Sequence, residues 1–204
     1  MTKSGRVSGA FVAGEPIEAD VVVLATGAWA PAMLAPLGLT LAVEPQRGQI
    51  THLRLDGVET GHWPVVLPPG SHYLLAFEGS RVVVGATREQ GVGFDYRVTA
   101  AGQAEVLNQA LAIAPGLGGA TVLETRIGFR PVGPNAKPLL GAAAGIDRLV
   151  IGNGLGPSGL TMGPFAGQLL AQVAMGPPPD LDVTPFDPFQ IRNRMSQPHG
   201  DVIR

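Results

Sequence analysis

The sequence has no cysteine in its 204 residues. That excludes a disulfide framework, a thiolate nucleophile and a cysteine-ligated metal site. Charged residues make up only 15% and the net charge is −2, so no basic surplus draws the chain to nucleic acid or an anionic membrane. No apolar run is long enough to span a bilayer. The basic start from Met1 to Arg6 is not followed by the apolar core of a signal peptide. A cytoplasmic protein without an integral membrane segment is the expectation. The four histidines (His52, His62, His72 and His199) lack metal-ligand spacing. His62 and His72 could meet across a hairpin, but they read better as two surface residues, and no metal site is expected.

What is present is apolar. Hydrophobic residues reach 45%, enough for a real core in one domain or two small ones, with disorder expected only in the C-terminal tail. Residues Arg6–Val12 read as a strand, Ala13–Pro16 as a turn, and Ile17–Asp20 as the return. Val21–Ala25 is continuously apolar and β-branched, the pattern of a parallel strand buried on both faces. It ends at Thr26-Gly27-Ala28-Trp29, before a short helical segment near Ala32–Leu37. Trp63–Leu67, Tyr73–Phe77 and Arg81–Thr87 read as strands, with Glu78-Gly79-Ser80 spaced for a hairpin. Gly91–Asp95 is a loop. Thr99 is placed to cap a helix through Ile113, with Val106, Leu107, Ala110, Leu111 and Ile113 inward and Pro115-Gly116 ending it.

The chain is organised around the run that follows. Thr121–Phe129 reads as a strand that delivers Arg130 before Pro131, and a short apolar strand follows at Leu149–Gly152. A glycine loop, Gly154-Leu-Gly-Pro-Ser-Gly-Leu-Thr161, then feeds a helix with Met162, Ala166, Leu169, Leu170 and Val173 on one face. Gly176 and Pro177–Pro179 stop it. Strand, tight loop and helix N-terminus together aim unpaired N–H groups and the positive end of a dipole at whatever lies ahead.

Gly128-Phe-Arg130-Pro131, the segment Lys137-Pro-Leu-Leu-Gly141 and the glycine loop, in this order before a terminal helix, resemble the C-terminal part of the D-amino-acid oxidase-like flavoproteins. These include glycine oxidase, sarcosine oxidase and D-amino-acid dehydrogenase. Asp20–Trp29 resembles the family's second dinucleotide-domain signature, and Pro45-Gln-Arg47-Gly48-Gln49 resembles its crossing into the substrate domain. The resemblance covers nearly all of this chain and about the second half of a usual family member.

The resemblance implies FAD as cofactor and oxidation of an amine or amino acid by hydride transfer to flavin. It assigns Arg130 to the substrate carboxylate and Tyr73 to a substrate-facing position. The cofactor positions it implies are Gly27, Ala28, Arg47, Gly48, Gln49, Gly156, Ser158, Gly159, Leu160 and Thr161. A bidentate arginine suits a carboxylate, and the first-turn N–H groups at Gly159, Leu160 and Thr161 suit the flavin's pyrimidine edge. The sequence departs from the family where Ala76-Phe77 follows Tyr73, and where Leu155, Pro157 and Ser158 stand in place of a basic or histidine-bearing loop residue.

The family's Gly-x-Gly-x-x-Gly unit for the ADP half of FAD is missing from these residues. The expected fold is α+β with one mixed sheet: a mixed or antiparallel substrate-domain sheet with covering helices, plus a remnant of the FAD-binding α/β domain. Residues 1–45 belong to the partial FAD-binding domain, 46–130 to the β-rich substrate domain, 131–176 to the return with the terminal helix, and 177–204 to the tail. Two readings stand open. One is an FAD-dependent oxidoreductase half acting on a small amino acid or amine, completed by a second chain or a missing segment, or as a homo-oligomer. The other is an inert relative that serves as a binding module.

Overall fold

The computed structural model describes residues 1–189 except Ser4; the tail from residue 190 lies outside the described residues. In chain order its strands are β1 (Thr2–Lys3), β2 (Arg6–Val7), β3 (Gly9–Val12), β4 (Glu15–Glu18) and β5 (Val22–Leu24), followed by helix α1 (Ala30–Leu34). The long strand β6 (Glu44–Arg54), the hairpin β7 (Tyr73–Phe77) and β8 (Arg81–Gly85), and helix α2 (Ala100–Ile113) come next. Strand β9 (Thr121–Val132), β10 (Leu139–Ala142), β11 (Leu149–Asn153) and helix α3 (Gly159–Met175) complete the set. The chain divides into two compact units, residues 1–44 with 131–204, and residues 45–130.

The first unit is built on a three-stranded sheet in the order β10-β11-β5. β11 runs antiparallel to β10 and parallel to β5, so this sheet is mixed. One face buries Leu24, Leu139, Leu149 and Ile151 with Ala30 and Leu34 of α1. The other buries Leu140 and Val150 under Ala166, Leu169 and Leu170 of α3. Alternation along β10 and β11 feeds both cores, and each buried leucine contributes about 1.5–3 kcal/mol. Helix α3 ends at Gly176, whose φ of +97° makes it a left-handed stop.

Three expectations for this unit are corrected. β5 is an edge strand, and Val23, beside Val150, keeps 43% of its surface exposed while Leu24 on the other face is buried, so one face of the strand is left uncovered. Met162 is 40% exposed because it lies on the first turn of α3, beyond the buried stripe. Residues 6–12 are split into β2 and β3 rather than forming one strand.

The second unit holds a four-stranded sheet in the order β7-β8-β6-β9. The single mixed sheet expected from the sequence is therefore two separate sheets, and the first unit also holds the two-stranded ribbons β1-β2 and β3-β4. One face of the four-stranded sheet packs Leu53, Leu74, Val82 and Val84 against Val106 and Ala110 of α2. Thr99 caps that helix as expected, its hydroxyl accepting from the Gly102 N–H at 3.2 Å. Leu111 instead points outward, 38% exposed. Trp63–Leu67 is not a strand: only Val66 bridges to Leu74, and Pro64 and Pro68 remove donors on either side. His72 is not a surface residue, since its side chain is 12% exposed with Nε2 3.4 Å from Glu105.

Candidate active site

Strand β6 sorts its residues by alternation. Arg47, Gln49 and Thr51 turn toward α2 and are buried, while Gly48, Ile50 and His52 face the other way. On the inner side Arg47 meets Glu89 at 2.5 Å and Asp95 at 2.9 Å. Gln49 donates to Glu89 and Thr99, each at 2.8 Å, and its Oε1 accepts from the Thr99 N–H at 3.1 Å. Hydrogen bonding to Glu89 raises the Arg47 pKa above its ordinary value. Burial pushes Glu89 the other way, but hydrogen bonds from Arg47, Gln49 and Thr87 outweigh it and hold the carboxyl below its ordinary value. The Arg97 side chain and backbone hold Asp95 low as well.

Arg47 and Gln49, expected from the resemblance to lie at the cofactor, have their polar groups engaged inside the unit with acids and a helix cap. The partners lie about 40–50 residues downstream, which hides the pairing from any local pattern. Gly102 belongs to the same device, because a Cβ there would run into the Gln49 amide.

The outer side of β6 is different. Arg130, near the end of β9, lies over Gly48, where a Cβ would come 2.7 Å from Nη1. Nη1 donates to the Thr87 carbonyl at 3.0 Å. Among the described residues Arg130 has no carboxylate partner. Burial lowers its pKa from the ordinary value, neighbouring Tyr73 opposes that, and the positive field of Arg88 adds to it. Tyr73 pairs with Gly85 across the hairpin, and a Cβ at Gly85 would meet Ile50 at 2.6 Å and the Tyr73 hydroxyl at 3.4 Å. Arg130, Tyr73, Gly48, Ile50 and Gly85 thus share one face. A half-buried guanidinium, braced by a carbonyl and lacking an acid, is set to take an anion.

The first unit carries the other predicted positions. Gly27 turns at the end of β5 with φ of +55°, a conformation glycine adopts without strain. Its carbonyl accepts from Asn153 Nδ2 at 2.8 Å, while Asn153 Oδ1 accepts from the Gly154 N–H at 2.8 Å. Asn153, which the sequence reading passed over, ties the Thr26-Gly27-Ala28 turn to the glycine loop. Gly156 has φ of +52° and opens a 3₁₀ turn through Ser158. Gly159, Leu160 and Thr161 then form the first turn of α3, with no side-chain cap from Ser158 and with Leu160 98% exposed. Thr161 donates to the Ser158 carbonyl at 2.9 Å.

The comparisons with known proteins decide the family. Residues 2–173 match the family model described as FAD dependent oxidoreductase (DAO). The chain belongs to that family. It is 47% identical over 187 residues to the uncharacterised oxidoreductase YurR of Bacillus subtilis, covering 91% of this chain and 50% of that protein. It is 33% identical to the glycine oxidase of Pseudomonas putida, again over 91% of this chain and 50% of the relative. Among solved structures, iminodiacetate oxidase from Chelativorans sp. BNC1 has a TM-score of 0.81 at 60% identity, covering 86% of this chain and 47% of that one. The chain therefore spans about half the length of the curated relatives it matches. Its fold is that of the family's oxidases, and the family's cofactor is FAD. No helix among the described residues is long and apolar enough to cross a membrane, and no described group of side chains could hold a metal ion.

FAD can be tested against the residues present. Thr26 Oγ1 is buried without a hydrogen-bond partner beside the turned Gly27. The uncapped first turn of α3 also offers backbone donors. Both features fit part of a flavin dinucleotide.

Proposed function

We propose that this chain supplies the carboxylate-binding half of an FAD-dependent amine or amino-acid oxidoreductase. The observation that carries the reading is Arg130, desolvated, braced by Thr87 and free of any acid among the described residues. Such a guanidinium binds a carboxylate through two parallel hydrogen bonds and fixes the α-carbon's direction. Tyr73 borders the same face and adds a hydroxyl beside the carboxylate. Orientation is the larger part of what this reaction asks of a protein.

In the first unit the residues proposed to hold FAD are Gly27, Ala28, Gly156, Ser158, Gly159, Leu160 and Thr161, with Thr26 and Asn153 added from the structure. Where FAD is bound it would supply the hydride acceptor, and loss of the α-carbon hydride would oxidise the neutral amine to an iminium ion. The Gly-x-Gly-x-x-Gly unit is not among these 204 residues, so the ADP half is assigned to residues outside them, on a second chain or a longer polypeptide.

The relatives named above as glycine oxidase and iminodiacetate oxidase are named for substrates that carry a carboxylate beside the amine carbon. That is the group Arg130 would read. The test is Arg130→Lys in a flavin-loaded preparation. Loss of the bidentate geometry should weaken substrate binding about 10–100-fold, the worth of a hydrogen bond to a charged group. Unchanged affinity and turnover would remove Arg130 from the site.

A further inference from the structure

The outer face of the four-stranded sheet holds a second polar place, at the end away from Arg130. A cavity of about 520 Å³ lies there, lined by Phe77 of β7, the turn residue Glu78, Arg81 and Val83 of β8, His52 of β6 and Arg126 of β9. All six belong to the second unit. Along β6, His52 stands about 13 Å of strand from Gly48, the position under Arg130. The two places are separate.

His52 is 6% exposed, and both its ring nitrogens are buried without a hydrogen-bond partner. Glu124 stands 3.8 Å from Nδ1, beyond hydrogen-bond reach. Burial lowers the pKa of the ring, Arg126 and Arg81 add to that, and Glu124 opposes it. The neutral imidazole offers one N–H and one lone pair. Leaving both unmet is costly, so the ring calls for a partner from the cavity. Around it the charges are balanced but not all paired. Arg126 is held by Glu124 at 2.6 Å. Arg81 and Glu78 have no ion pair among the described residues. One uncompensated base and one uncompensated acid therefore line one cavity, together with buried Val83 and the 49% exposed ring of Phe77.

We propose that this cavity binds an apolar α-amino acid as an intact zwitterion. Its carboxylate lies on Arg81 and the His52 N–H, its ammonium on Glu78, and its side chain on Val83 and Phe77. A ligand of one sign would meet an opposing charge in the lining, whereas a zwitterion offsets both. The volume is that of an ordinary small-molecule site. The assignment does not depend on the reading of Arg130.

The experiment is calorimetric titration of the 204-residue chain carrying Arg130→Gln, so that carboxylate binding there does not enter. The probes are phenylalanine, 2-phenylethylamine, which lacks the carboxylate, and 3-phenylpropionate, which lacks the ammonium. One equivalent of phenylalanine should bind, and the His52 ring signals in the NMR spectrum should shift as it does. The amine should bind about tenfold more weakly, and the acid about threefold because Glu78 is exposed. Adding Arg81→Gln should bring phenylalanine down to the level of the amine, and Glu78→Gln to the level of the acid. Neither side chain is buried, so neither variant is expected to unfold the chain, and melting curves check this. No binding with unmoved His52 signals would mean that water alone meets the ring, and would overturn the assignment. Equal binding of the three probes, or no effect of either substitution, would overturn it as well. If the wild-type chain binds the same single equivalent as Arg130→Gln, this site stands and the reading of Arg130 is the one that fails.

Discussion

The Arg130 guanidinium and Gly48 are complementary: a Cβ on residue 48 would stand 2.7 Å from Nη1 and 3.0 Å from Cζ of Arg130. The Arg130 side chain can lie flat on β6 because that position has no side chain. Since the obstacle is the end of a long side chain rather than backbone, Gly48→Ala should displace Arg130 more than it destabilises the strand. The expected result is weaker carboxylate binding, about tenfold in a titration, with the melting temperature nearly unchanged. Equal affinity in the variant would mean that Arg130 does not need its observed place.

The pair Arg47–Glu89 should behave as a structural element. Removing Glu89 leaves the buried Arg47 with Asp95 as its remaining acid and takes the shared acceptor from Gln49 and Thr87, at a cost of about 1–3 kcal/mol. Glu89→Ala should therefore lower the denaturant midpoint of the second unit's unfolding substantially. Glu89 is held below its ordinary value of 4.5, so its contribution is present above that pH and fades as the pH falls through its folded value. A variant as stable as wild type at pH 7 would contradict this role.

His52 gives a pH dependence of the same sign in a higher pH window. Its ring is buried with neither nitrogen hydrogen-bonded, and Glu124 stands 3.8 Å from Nδ1. Burial lowers its pKa from the ordinary 6.5, Arg126 adds to that and Glu124 opposes it. Between the folded and unfolded values, the unfolded chain binds a proton that the folded chain does not. Stability should therefore fall as the pH drops below about 6.5. Melting curves at pH 7.5 and 5.5 should show a larger drop for wild type than for His52→Gln. The same drop in both would assign the effect to other groups.

Local signals carried far in this sequence. Thr99 capping α2, Gly176 stopping α3 and the Glu78-Gly79-Ser80 turn are each set by a few neighbouring residues. Arg130 was singled out because Gly128-Phe-Arg130-Pro131 resembles the family's motif. What stayed hidden depends on distant partners. Nothing in the sequence around Arg47 points to Glu89, 42 positions on, as its partner. Asn153 and Arg81 carry no motif, and their placement follows from strand pairing and alternation. Val23 and Leu111 carry the right residue type for a core, yet each stays exposed where no neighbouring element covers it.

The measurement that tests the central claim most directly is the visible spectrum of the purified protein during titration with FAD, alone and with a segment that supplies the dinucleotide-binding unit. The account predicts a protein-bound flavin spectrum in the completed protein. That spectrum should bleach anaerobically on adding a carboxylated amine, and the bleaching should be lost in Arg130→Ala. A completed protein that takes up no FAD, or a flavin that is reduced equally well without Arg130, would contradict it.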